Sequence, residues 1–275
     1  MITIDQQTFE KYVPAFASAE SYTFDRMSPY VDVMLRAVEG REVKTSDDMP
    51  DALRSVVERY VCLAAARKAV PQLDLILTAN GFGVVSNQNV APASRERVNA
   101  LIEQLRIDES EAFDRLINDL LQTDWAKSAT AESYITSLLY CPSMMRRYGI
   151  KDEEGREVYY SEWQGLQNHL AVAEEKVRTL ISPELFDKLI EVQRIPATEH
   201  PHEYNVVLEQ ARRLVAAWIS VDRYPQAPRA LSHRLLNTIK NWSDVLTEYA
   251  QSSTYRAHNA KPYENRKEDS AYFFG

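Results

Sequence analysis

The sequence predicts a mainly α-helical protein made of two related helical-bundle modules, with one β-hairpin inserted at about 74–86. Three observations predict it. Only 7 glycines and 12 prolines occur in 275 residues, too few for a sandwich of short strands and tight turns. Apolar residues step by three and four along most of the chain, the period of a helix with one buried face. Two sets of these steps also align with each other at constant offsets.

Phe24, Met27, Val31, Met34 and Val38 form the first stripe, and Gly40 supplies its C-terminal stop. Pro29 falls within it, so this helix either begins near Ser28 or is kinked at the proline. Beyond the polar loop 41–48, a helix from about Pro50 to Val70 carries Leu53, Val57, Tyr60 and Ala64, and Pro71 is expected to end it. Residues 73–86 change character. β-favouring residues flank Asn80-Gly81, a dipeptide suited to the positive φ of a tight turn, which predicts strands at about 74–78 and 82–86. An isolated hairpin is marginal in water, so this one is expected to rest on helices or pair with another chain.

Ser94 then caps a helix striped by Val98, Leu101, Leu105, Ala112, Leu116 and Leu120, with Asp108-Glu109-Ser110 as a possible break. A further helix is expected over about 130–140, followed by Cys141-Pro142 and a charged loop at 151–157. Trp163, Leu166, Leu170, Ala173 and Val177 repeat the first stripe. Ser182-Pro183-Glu184 opens a short helix to about Val192. Val207, Ala211, Leu214 and Trp218 lie inside a helix from about Glu203 that stops before Pro225. A last helix spans roughly 229–250, and 252–270 is polar and irregular before the aromatic run Tyr272-Phe273-Phe274.

The first stripe maps onto 163–177 at an offset of 139, and the second maps onto 207–218 at an offset of 154. The second offset also carries Arg59 onto Arg213 and Pro71 onto Pro225. Amphipathic helices share a period and can align by chance. The prolines favour duplication, which gives a first module at 1–125, a second at 126–251 and a C-terminal tail at 252–275. Whether the two share one core or swing about 123–130 is open at this level.

The net charge of -8 argues against a general nucleic-acid coat or an anionic membrane surface as partner. Residues 1–125 hold 20 acids and 13 bases, whereas 126–275 hold 20 and 19, so the acidity belongs to the first half. Solvated helix faces account for it, with an acidic docking surface as the other reading. No apolar run approaches the ~20 residues of a bilayer span, and MITIDQQTFEKY lacks a charged-then-apolar leader, so a soluble, cytoplasmic protein is expected. Cys62 and Cys141 have no CxxC spacing and are expected to be buried structural thiols.

Motifs for nucleophilic catalysis, phosphate loops and dinucleotide binding are missing from the sequence. Glu199-His200-Pro201-His202-Glu203 is the best candidate metal segment. A zinc site needs three or four converging ligands, so a solvated loop entering a helix is the simpler reading. Neither a metal nor a cofactor is expected. Arg146-Arg147 and Arg212-Arg213 could touch phosphate or acidic partners, but each pair alone is ordinary surface.

The segment Leu77 to Arg97, LTANGFGVVSNQNVAPASRER, resembles an uncharacterised family of prophage-encoded structural proteins from gut anaerobes, of the head-to-tail neck or tail-completion type. The resemblance takes in the following helix, the segment from Ser182 to Leu189 and the ending from Asn265 to Phe274, hence most of the chain. It implies a helical adaptor that forms or bridges rings, and it brings no catalytic residue. With the residue-level reading it gives the expectation of a non-enzymatic structural and assembly protein of a phage or phage-like particle, such as a head-tail connector. Its partners are other protein subunits, as a homo-oligomer and with neck or tail proteins. No small-molecule substrate, membrane or sequence-specific nucleic acid is expected. Asn80, Gly81 and Phe82 in the hairpin and Tyr272, Phe273 and Phe274 in the tail are the candidate interaction residues. The alternatives are a monomeric helical binding or regulatory module with an acidic docking surface and, third, a metal-dependent hydrolase using His200, His202 and Glu203.

Overall fold

The computed structural model describes residues 2–16, 22–41, 49–73, 95–196 and 198–260, and for 76–78 and 81–83 the backbone. The fold is mainly helical. Four helices, α1 (Gln6–Tyr12), α2 (Tyr22–Arg41), α3 (Asp51–Leu73) and α4 (Arg95–Leu120), enclose a first hydrophobic cluster together with the short α5 (Ala129–Tyr134). α3 is its axis and packs on α1, α2 and α4. The sequence permits this because Val57, Val61, Cys62, Ala64, Ala65, Ala66 and Ala69 are all fully buried, so α3 is apolar and small on more than one face.

A second cluster is built by α6 (Pro142–Arg147), α7 (Tyr160–Gly165), α8 (Gln167–Ile181), α9 (Pro183–Val192), α10 (His202–Ile219), α11 (Ala227–Asn241) and the terminal turns α12 (Thr247–Ala250) and α13 (Ser253–His258). Here α10 is central, packing on α8, α9 and α11 through Val207, Ala211, Leu214 and Val215. No helix among the described residues is long and apolar enough to cross a membrane.

Several elements differ from the expectations, each for a local reason. Pro29 lies inside α2, whose helix begins at Tyr22 rather than near Ser28. The proline cannot donate to the Asp25 carbonyl, and the Ser28 hydroxyl donates to it instead at 3.2 Å. Pro71 does not end α3, which runs to Leu73. α4 passes unbroken through 108–110, because the buried Glu109 is paired with Arg67 from α3. The helix expected over 130–140 stops at Tyr134, and the one expected at 229–250 ends at Asn241 before α12 and α13. Residues 252–258, expected to be irregular, are helical from Ser253, with the Ser252 hydroxyl accepting from the Tyr255 N–H at 3.0 Å. The stripe 163–177 is divided at Leu166 into α7 and α8.

Backbone segments Ile76–Thr78 and Gly81–Gly83 pair antiparallel, with Ile76 opposite Gly83. Three paired residues on each side fall short of the strands expected at 74–78 and 82–86, and a ribbon of that size adds little stability of its own. The described fold therefore rests on helices. Ser182 behaves as the sequence indicated: its hydroxyl accepts from the Leu185 N–H at 3.2 Å and opens α9. It does so from a φ of 102°, a left-handed conformation that costs a residue with a Cβ.

Candidate functional site

The connection between the two clusters, Ile135 to Cys141, is irregular and mostly buried, with Ile135, Leu138 and Leu139 fully so, Ser137 half-buried and Thr136 exposed. Irregular backbone in an apolar interior leaves peptide groups that must find partners elsewhere. Side chains of the second cluster provide them. Glu174 of α8 accepts from the Leu138 N–H at 2.7 Å and from the Ser137 hydroxyl at 2.8 Å. Gln193 donates to the Ser137 carbonyl at 2.8 Å, Arg212 of α10 to the Leu138 carbonyl at 3.1 Å, and the Trp163 indole to the Leu139 carbonyl at 3.2 Å. Arg212 also donates to Gln193, which closes the network at 3.0 Å. Burial pushes the Glu174 carboxyl up to about 7 despite the hydrogen bonds from Ser137 and Leu138, which act in the opposite direction.

A second set of contacts joins the clusters across their face. Arg146 of α6 pairs with Asp114 of α4 at 2.8 Å and donates to the Val158 carbonyl at 2.9 Å. Arg106 of α4 pairs with Glu162 of α7 at 2.6 Å. Both guanidiniums lie over the Tyr159 ring, their carbons 4.5 and 5.0 Å from its centroid. Phe113, fully buried, makes ring contacts with Tyr60, Tyr134, Tyr160 and Trp163. The Trp163 side chain packs against both clusters. The ionisable groups of the connection are thus spent on holding two helix assemblies together.

On the outer side of the second cluster, α10 and α11 leave a groove of two adjoining depressions of about 330 and 480 Å³ that share Glu209, Arg213 and Leu231. Ala216, Ala217, Val206 and Leu231 give it apolar lining, and Arg147, Arg213 and Arg234 stand around it. Glu209 is held below the usual carboxylate range: burial would raise it, but the Tyr148 hydroxyl at 2.6 Å, Arg213 and Arg147 outweigh that effect. Pairing within the groove leaves its cations exposed, with the Arg147 and Arg213 side chains 66% and 58% accessible. Tyr224, at 64%, is among the most exposed large hydrophobic side chains described. The Gln210 Oε1 atom is buried there with no hydrogen-bond partner among the described residues.

Of the sequence-predicted interaction residues, Asn80, Tyr272, Phe273 and Phe274 lie outside the described residues, and for Gly81 and Phe82 only the backbone is described. His200 and His202 do not converge with other ligands. The His200 ring contacts the Pro201 carbonyl at 3.2 Å and His202 lies against Trp242, and no group of three possible metal ligands occurs among the described residues. Both cysteines are free and buried, their thiols pushed up by burial to about 12 for Cys62 and about 11 for Cys141. The sequence reading did single out Arg146-Arg147 and Arg212-Arg213. Helical geometry sends the two members of each pair in different directions: Arg146 and Arg212 go to the junction, and Arg147 and Arg213 go to the groove. The connection 135–141 escaped because its apolar residues read as the continuation of a helix.

Residues 36–135 match the model of a family of unknown function, DUF6712. The matched stretch begins in α2 and ends at Ile135, where the buried connection starts. No curated protein and no solved structure matches the chain.

Proposed function

We propose that this chain is a non-enzymatic structural protein that acts by assembly, as a connector or adaptor subunit of a phage-like particle. The observation that carries the reading is the buried connection: Glu174, Gln193, Arg212 and Trp163 turn two helix clusters into one body. A subunit that passes mechanical load between neighbours needs such stiffness, whereas a hinged enzyme or switch needs a looser linker. The particle context comes from the sequence resemblance at 77–97, at 182–189 and over 265–274.

The internal duplication belongs to the same reading. Stripe 24–38 lies on α2 and stripe 53–64 on α3, and these two helices pack together; of their counterparts, the stripe 163–177 is split between α7 and α8, and its α8 part packs on α10. Matched sequences forming matched pairs is what a duplicated module would give. The ribbon around Asn80-Gly81 and the aromatic run Tyr272-Phe273-Phe274 supply edges and anchors for neighbouring chains.

Light scattering of the purified chain across a hundred-fold range of concentration tests this. Masses that rise to defined multiples of 31.6 kDa are expected. A constant mass of 31.6 kDa at every concentration overturns self-association and favours a monomeric docking module.

A further inference from the structure

We propose that the groove between α10 and α11 receives residues 268–274 of a second copy of this chain. This deepens the assembly reading and rests on it. The groove pairs an apolar lining with unneutralised positive charge. Arg234, which projects beside Leu231, has no ion-pair or hydrogen-bond partner for its guanidinium among the described residues, and Arg147 and Arg213 share the single carboxylate of Glu209. Two and more cations around one anion leave a site suited to added carboxylates. Gln210 contributes a buried acceptor that no described residue satisfies, and a docked backbone N–H is the donor it needs.

Residues 261–275 lie beyond the described chain and contain the matching chemistry in the matching order. Glu268-Asp269 are two adjacent carboxylates, and Tyr272, Phe273 and Phe274 follow within five residues. An acidic pair on the arginines with aromatic rings against Leu231, Ala216 and Ala217 satisfies charge and apolar surface together. The lengths agree as well. Six peptide steps in an extended segment reach about 20 Å, and α10 from Asn205 to Ala217 rises about 18 Å. An extended strand laid along the helix therefore covers the groove from the Arg234 end to the Tyr224 end.

The test uses the full chain with a photo-reactive phenylalanine analogue in place of Phe273. On illumination, a species of twice the chain mass is expected, with the cross-link mapped to α10 or α11 near Arg213 or Leu231. The double variant Arg213→Glu, Arg234→Glu replaces exposed side chains at the end of the groove that the acidic pair would occupy, and circular dichroism should show its helices unchanged while the cross-linked yield falls at least ten-fold. Restoration of the yield when Glu268→Arg and Asp269→Arg are added to that variant is the positive control for charge pairing. A cross-link within one chain overturns the second-copy assignment, and one mapped outside the groove overturns the site. Self-association that persists without any cross-link to α10 or α11 overturns this inference while leaving the assembly reading intact.

Discussion

Replacing Glu174 by alanine is expected to destabilise the chain by about 3 kcal/mol near pH 6, because it orphans the buried Leu138 N–H and the Ser137 hydroxyl together. Glutamine is expected to behave oppositely above neutral pH, since its carbonyl keeps the acceptor and no charge is buried. The pH dependence follows from the raised carboxyl. The native group, near 7, holds a proton through a window in which the unfolded chain, near 4.5, has lost it. Its contribution to stability is therefore fully present below about 4.5, falls as pH rises through the window and is gone above about 7. A displacement of that size corresponds to roughly 3 kcal/mol at most. Urea denaturation at pH 5.5 and pH 8 should show Glu174→Gln flattening this slope and exceeding the native chain at pH 8. Equal slopes in the two proteins would remove the buried carboxylate from the account of the junction.

Phe113→Ala is the second large effect. Its ring is fully buried and touches four other aromatic rings, so truncation is expected to cost about 4 kcal/mol through lost burial and an unfilled cavity. The informative readout lies away from the mutation. Trp218 and Trp242 belong to the second cluster, whereas Phe113 belongs to the first. If the clusters are locked, the fluorine resonances of Trp218 and Trp242 in a fluorotryptophan-labelled chain that keeps all four tryptophans should report the same lowered denaturation midpoint as the helical signal. An unmoved midpoint for these two indoles would mean that the second cluster stands alone.

Much of the helical architecture was legible because periodicity is read directly from burial. Most stripe residues of α4, α8 and α10 are buried, as Leu105, Ala112, Leu116 and Leu120 on α4 illustrate, whereas Val98, Leu101 and Trp218 are only partly so. The Ser182-Pro183 start was legible for a chemical reason, a hydroxyl acceptor followed by a residue with no N–H to satisfy. Helix ends failed where tertiary contacts overrule local preference. Pro29 is tolerated because a neighbouring serine repairs the lost hydrogen bond, and the segment after Tyr134 leaves the helix because side chains 24 to 74 residues away satisfy its backbone. Long-range hydrogen bonds of that kind leave no mark on sequence spacing. α6 was hidden for a related reason, since Cys141-Pro142 reads as a breaker when it is in fact a helix start with proline at the first position.

The candidate site was legible in fragments. Two adjacent arginine pairs were visible, but their division between junction and groove depends on which helix face is buried, and that needs the packing of α10 against α8 and α11. Arg234 and Gln210 carry no sequence signal, because each is an ordinary polar residue on an amphipathic helix until a neighbour leaves a hollow beside it.

Scanning calorimetry of the whole chain addresses the locked junction most directly, because a body held together by Glu174, Arg212, Trp163 and the Arg146–Asp114 pair must melt as a unit. One transition is expected, with its van't Hoff enthalpy equal to the calorimetric enthalpy per chain. Two resolved transitions, or a calorimetric enthalpy near twice the van't Hoff value, would mean that the helix clusters unfold independently and that the junction does not hold them.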